Sequence, residues 1–196
     1  DGDTSVGSSI TVADADGFVV NDGGTMKTIP ATDISTYVGG GITDASQWRL
    51  TTTFVGDADP IDTNWEVNDN TGYGSLGSAM TESSGIFTFP STGYWLITFI
   101  CTWYANGSSK WCGAYVKTTT DDSTYANAAV AYSAITRSET DVTYTNSTAQ
   151  IIFDVTDTSN CKVQFGSAAN NAAITATRGN TDHQATGVTF IRLGDT

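Results

Sequence analysis

Apolar and polar residues alternate in short runs along most of the chain, and clusters of turn-forming residues interrupt them at close intervals. Strand-like runs fall at 47–54, 65–68, 85–89, 94–104, 111–118, 128–136, 142–145, 149–155, 162–165, 172–177 and 187–193. The breaks at 57–60, 68–72, 90–93, 121–123, 157–160 and 178–182 are built from Asp, Asn, Gly, Ser, Thr and Pro, with Ala58 and Arg178 the exceptions. Many short strands at such spacing, without an amphipathic helix of three turns, predict an all-β antiparallel sandwich or barrel. One run breaks the usual alternation. Tyr94, Leu96 and Thr98 form one set and Trp95, Ile97 and Phe99 the other, so both faces carry apolar groups. An antiparallel strand with one wet face should show polar residues on that face. The pattern predicts a strand covered by the opposite sheet on one side and by a further surface, such as a neighbouring subunit, on the other.

Residues 1–41 read differently. They are rich in Gly and Asp, thin in apolar residues, and end in Gly39, Gly40 and Gly41, a hinge or turn signal. Short strands are expected at Ile10 and Val12 and at 18–20, around a turn at 14–17, and one helical turn over 32–37 capped by Thr32 or Asp33. The chain therefore divides into a linking or anchoring arm, 1–41, and a head, 42–196.

Charge narrows the chemistry. The chain has 196 residues and a net charge of −13, with 21 acidic against 8 basic side chains. Nucleic acid is excluded as a partner, since phosphate binding draws on Lys and Arg. An anionic membrane surface is disfavoured for the same reason, and no run is long and apolar enough to insert. The acids are 18 Asp and only 3 Glu. Asp favours turns and caps whereas Glu favours helix surfaces, so the charge lies in loops. The one histidine, His183, stands in a turn-like stretch without a nucleophile elbow, which leaves little acid–base equipment for an enzyme.

Gly72, Gly74 and Gly77 match the dinucleotide fingerprint in letter only, because no strand–turn–helix unit surrounds them. Asp57, Asp59 and Asp62 share one short loop and are the residues on which a structural calcium is expected if the chain holds one; Asp121 with Asp122, and Asp154 with Asp157, come next. None has EF-hand spacing, and no other cofactor is expected. Cys101 and Cys112 flank Asn106-Gly107, and a two-residue turn there would set them directly opposite each other. That leaves two readings, a cross-strand disulfide or two buried thiols. Asn106 and Asn146 stand in glycosylation sequons, meaningful only for a chain secreted from a eukaryote.

The run from Gly85 to Phe99, with Phe87, Phe89, Pro90, Gly93, Trp95 and Ile97, resembles the core signature of the complement-one-q globular head, a tumour-necrosis-factor-like jelly roll. The ending from Thr186 through Phe190 to Leu193 is similar to the closing strand of such heads. The resemblance spans Ile42 to Thr196 and implies a homotrimer whose core and subunit packing come from Phe87, Phe89, Tyr94, Trp95, Leu96, Ile97 and Phe99. Separately, the stretch from Asn21 through Gly23, Gly24, Met26 and Pro30 to Tyr37 resembles segments of tailed-phage virion fibres that precede a trimeric head. Together the two resemblances imply a non-enzymatic virion structural protein. It would be a trimeric fibre, spike or capsid-decoration protein with other virion proteins as neighbours and a host cell-surface glycan or protein as receptor. Trp103, Tyr104 and Tyr125 are the aromatics weighed for sugar stacking, against a place in the core. Two alternatives stand beside this reading: a secreted complement-type binding module, and a carbohydrate-active enzyme on a jelly roll.

Overall fold

The computed structural model describes residues 12–38, 41–137 and 140–196. They group into two compact units, Asp1–Gly41 and Ile42–Thr196.

In the first unit β1 (Gly17–Asp22) and β2 (Thr25–Pro30) form an antiparallel hairpin, followed by the helix α1 (Ala31–Val38). The hairpin turns on Gly23 and Gly24, both at positive φ (58° and 93°), as a tight primed turn demands. Asn21 Oδ1 accepts from the Gly24 N–H at 2.7 Å. The second strand was not foreseen, although Asp22-Gly23 is the hairpin signal that announces it. Val12 precedes a turn over 13–16 and lies in no strand. The helix starts one residue before Thr32, with Asp33 in its first turn, where the helix dipole favours a carboxylate. The strand expected at Ile10 and the hinge at Gly39 and Gly40 lie outside the described residues.

The second unit is the all-β antiparallel sandwich that the alternation predicts. Its larger sheet is centred on β8 (Gly93–Ala105), which pairs along its whole length with β11 (Thr143–Val155). The other edge of β8 is shared by β14 (Gly187–Gly194) and the short β13 (Ala176–Thr177). Beyond these lie β3 (Ala45–Leu50) on β14, β5 (Trp65–Val67) on β3, and β4 (Phe54–Val55) on β13. The smaller sheet runs β10 (Ala126–Ile135), β9 (Ser109–Thr119), β12 (Lys162–Ala169), β7 (Ile86–Thr88) and β6 (Thr81–Ser83). Neighbours in each sheet are mostly distant in sequence, as Greek-key connections require.

Between the sheets lies a core rich in aromatic rings. Phe87 is fully buried, with its ring centroid 5.3 Å from those of Trp48 and Phe165, 5.4 Å from Trp65 and 5.5 Å from Phe190. Three of these contacts are edge-to-face, the arrangement the ring quadrupole prefers. A polar relay ties the sheets together inside this core. Trp103 of β8 donates from Nε1 to Ser167 Oγ of β12 at 2.7 Å, and Ser167 Oγ lies 2.6 Å from Thr177 Oγ1 of β13. At one edge the sheets meet through hydroxyls. Ser133 of β10 bonds Thr145 of β11, and Ser147 donates to the Ala131 carbonyl.

One expectation on strand limits is corrected, and of the two readings of Cys101 and Cys112 the buried thiols are found. The runs at 142–145 and 149–155 are one strand, β11, because the polar residues between them, Asn146, Ser147 and Thr148, keep the period of two. Cys101 and Cys112 are not cross-strand partners. The chain between β8 and β9 passes from one sheet to the other, so the two residues belong to opposing layers, and both thiols are free and buried. The reason is long-range pairing, since β9 joins β10 and β12 in the smaller sheet while β8 pairs with β11 and β14 in the larger. Burial pushes the Cys101 thiol up to about 12, with Ser167 and Thr186 hydroxyls partly opposing it.

Candidate subunit interface

Of the seven residues that the resemblance singles out, Phe87, Phe89, Trp95, Ile97 and Phe99 all lie in the core. Tyr94 and Leu96 point the other way, to the outer face of the larger sheet, where Tyr94 is exposed and Leu96 half-buried. The two sets predicted for this strand thus separate cleanly. The opposite sheet covers Trp95, Ile97 and Phe99.

Register builds the outer face into rows. Leu96 stands opposite Ile152 of β11 and Ile191 of β14, and Ile191 stands opposite Ala45 of β3. This gives an aliphatic row crossing four strands, in which Ile152 is 58% exposed. The next row is polar and internally satisfied. Gln47 Nε2 donates to Thr189 Oγ1 at 3.3 Å and Gln150 Nε2 to Thr98 Oγ1 at 2.8 Å. One end of the face carries Tyr94. The other carries Tyr104 against Tyr144 (5.3 Å between centroids), with the Arg178 guanidinium 5.5 Å from the Tyr144 ring. β-Branched and aromatic side chains spaced two apart on adjacent strands put these groups side by side without any turn or loop having to position them.

A groove of about 400 Å³ borders the aliphatic row, lined by Ala45, Gln47, Leu76, Thr189 and Ile191 among others. Its far wall is the segment holding Gly74, Ser75 and Leu76, pinned by the Ala45–Leu76 bridge. The Gly72–Gly77 stretch therefore serves as a loop along the sheet. Nearby, Arg49 is buried and paired with Glu66 (3.0 Å) and Asp69 (2.6 Å). Burial works against its charge, and Glu66 and then Asp69 outweigh that and raise its pKa. Removing either acid would leave a buried charge partly uncompensated.

The acidic loop at 57–62 does not gather its carboxylates. Asp57 Oδ1 accepts the Ala169 N–H at 2.8 Å, Asp59 Oδ2 pairs with Lys117 Nζ at 2.5 Å, and Asp62 is exposed. Among the described residues no group of three or more His, Cys, Asp or Glu side chains is placed to hold a metal ion. Asp121 and Asp157 instead cap their own turns, and backbone N–H donors, chiefly from Thr124 and Ser159 respectively, hold both carboxyls below the usual range. His183 is exposed, its backbone N–H bonded to Asn180 Oδ1. Among the described residues no helix is long and apolar enough to cross a membrane.

The aromatics weighed for sugar stacking are placed otherwise. Trp103 is buried in the relay to Ser167, and Tyr104 and Tyr125 are half-buried. Sequence reasoning missed Trp111, Tyr115 and Tyr132, which share the outer face of the smaller sheet. The available signal was Trp111, Gly113 and Tyr115 alternating with the buried Cys112, Ala114 and Val116. Tyr132 joins them only through register.

Solved structures share this architecture. The chain superposes on murine APRIL, crystallised at pH 5.0, with a TM-score of 0.54 and 11% identity, covering 76% of this chain and 98% of that one. On Eiger TNF from S. frugiperda the TM-score is 0.53 at 11% identity, covering 80% and 96%. No protein-family model and no curated protein matches the sequence. The likeness establishes the fold, a TNF-like jelly roll.

Proposed function

We propose that the chain is a non-enzymatic structural protein of a virion, a homotrimeric fibre, spike or capsid-decoration protein whose jelly-roll head mediates attachment to a host surface. The observation that carries the assembly is the aliphatic row of Ile191, Leu96 and Ile152 on an open sheet face. Apolar patches of this kind on a flat sheet mark association surfaces, and closed symmetry would bury them while turning the acidic loops outward. The TNF-like fold and the resemblance of Gly85–Phe99 to complement-type heads support three copies. The likeness of Asn21–Tyr37 to phage-fibre segments supports the virion, with residues 1–41 as the arm that links or anchors the head.

Sedimentation equilibrium at micromolar concentration tests the assembly: a mass three times that of the chain is expected, and a monodisperse monomer would sink it. Antibody raised to the chain and imaged on native particles tests the location. Label at a tail tip or on the capsid surface is expected; particles that lack the chain would refute the virion reading.

A further inference from the structure

The outer face of the smaller sheet carries a second, chemically different feature. On β9, Trp111, Gly113, Tyr115 and Lys117 point outward, while Cys112, Ala114 and Val116 fill the core. Tyr132 of β10 stands opposite Gly113, and Ala168 of β12 flanks Gly113 on the other side. The Tyr132 ring is nearly perpendicular both to Trp111 (87°, 6.1 Å) and to Tyr115 (89°, 6.3 Å). Together the three rings line a notch of about 440 Å³, within the size range of small-ligand clefts, roughly 300–1,000 Å³.

The rings stand where they do because Gly113 has no side chain and they lean over it. A Cβ there would lie 2.7 Å from the Tyr115 hydroxyl and 3.0 Å from Tyr132 Cε1. Tyr132 is 63% exposed and Trp111 38%, large values for rings that could have packed inward. Polar groups stand alongside. Asp59 lies over Gly166, which pairs with Tyr115, and bridges to Lys117. Burial, followed by the Tyr132 hydroxyl and the charges of Asp59 and Asp57, pushes the Tyr115 phenol up to about 12.

We propose that this notch binds a neutral pyranose unit of a glycan, its C–H face stacked on Trp111 or Tyr132 and its hydroxyls bonded by the tyrosine hydroxyls and the Lys117–Asp59 pair. Crossed aromatic walls suit a ring that has an apolar face and a polar rim. The carboxylates beside it, and the chain's net charge of −13, disfavour an acidic sugar. A polyproline ligand needs a succession of aromatic slots along a groove, whereas here three side chains form a single corner. The smaller sheet faces away from the aliphatic row, so the two surfaces serve separate roles.

This inference deepens the attachment reading by giving it a ligand class and a place, and its test separates the two. Trp48, Trp65, Trp95 and Trp103 are buried, so quenching of tryptophan fluorescence by acrylamide reports mainly on Trp111. The probes are trimers of glucose, galactose, xylose and N-acetylglucosamine, with oligogalacturonate and decaproline for comparison. At least one neutral trimer should protect Trp111 from quenching, with saturation-transfer NMR confirming contact. Tyr132→Ala should weaken that binding about tenfold or more, with thermal melts and sedimentation unchanged. If the alanine variant misfolds, Tyr132→Thr, a β-branched residue suited to an exposed strand position, decides. Absence of neutral-sugar binding below about 10 mM, or tighter binding of oligogalacturonate or decaproline, overturns the proposal. A trimer that takes no sugar refutes the notch alone, and a sugar-binding monomer refutes the trimer alone.

Discussion

The two outer faces of the sandwich are built from the same alternation and end up chemically unlike. On the larger sheet, Leu96, Ile152 and Ile191 line up across adjacent strands, beside a polar row that satisfies itself through Gln47–Thr189 and Gln150–Thr98. On the smaller sheet, the rings of Trp111, Tyr115 and Tyr132 stand around a notch, with the Lys117–Asp59 pair beside it. A flat aliphatic strip offers area but no directional bonds, which suits packing against another protein surface. A concave aromatic corner with hydroxyls and an ion pair offers shape and direction, which suits a small ring. The difference shows how one strand pattern yields a packing surface or a pocket, depending on whether the outward positions hold uniform or mixed side-chain volumes.

The largest effect should come from removing what both faces share. Phe87→Ala takes out the ring that four aromatic neighbours pack against and should cost about 3–5 kcal/mol, read as a fall in the urea midpoint. Assembly and sugar binding should then fail together; a variant keeping full stability would show that the core is not organised around Phe87. Leu96→Asp should touch one face only. It places a charge in the aliphatic row and should cost roughly 2–4 kcal/mol of association free energy, leaving a folded monomer in the ultracentrifuge. Sugar binding by that monomer should match the parent chain, and its loss would couple the two faces.

Ser167→Ala interrupts the relay between the sheets, leaving the buried Trp103 Nε1 without its acceptor, at a cost of about 1–3 kcal/mol by chemical denaturation. No change in stability would mean that Trp103 finds another partner. Salt separates the faces without mutation. Chains carrying −13 each repel one another, so association should strengthen between roughly 10 and 150 mM salt, as the screening length falls from about 30 to about 8 Å. Neutral-sugar binding should hardly move over that range. Equal salt slopes for both would contradict the division of labour. The smallest effect concerns pH. The Asp121 and Asp157 carboxyls are depressed in the folded chain, so their stabilisation is present above the ordinary carboxylate range and is lost as pH falls below it. Asp121→Asn should flatten the acid limb of the thermal-stability profile slightly, and an unchanged limb would assign acid sensitivity elsewhere.

Much of this is legible in the residues. The two sets in 94–99 read directly as an inward and an outward face, because the side-chain period of a strand is two. The resemblance at Gly85–Phe99 pointed to seven residues, of which five reached the core. The fate of Cys101 and Cys112 was not legible. A tight turn and a sheet-to-sheet crossing have the same local composition, and only the pairing of β9 with β10 and β12, far along the chain, chooses between them. The notch escaped for a related reason: Trp111 and Tyr115 are neighbours in the chain, but Tyr132 and Ala168 come from strands paired by register.

By itself the sequence determined the strand period, the placement of acid in turns, and the residues that must be buried, since each depends on neighbours within a few positions. The tertiary structure decided which strands are partners, which sheet each cysteine joins, and which outward side chains stand in one row. Those outcomes follow from long-range pairing, where a shift of a single residue turns every side chain to the other face.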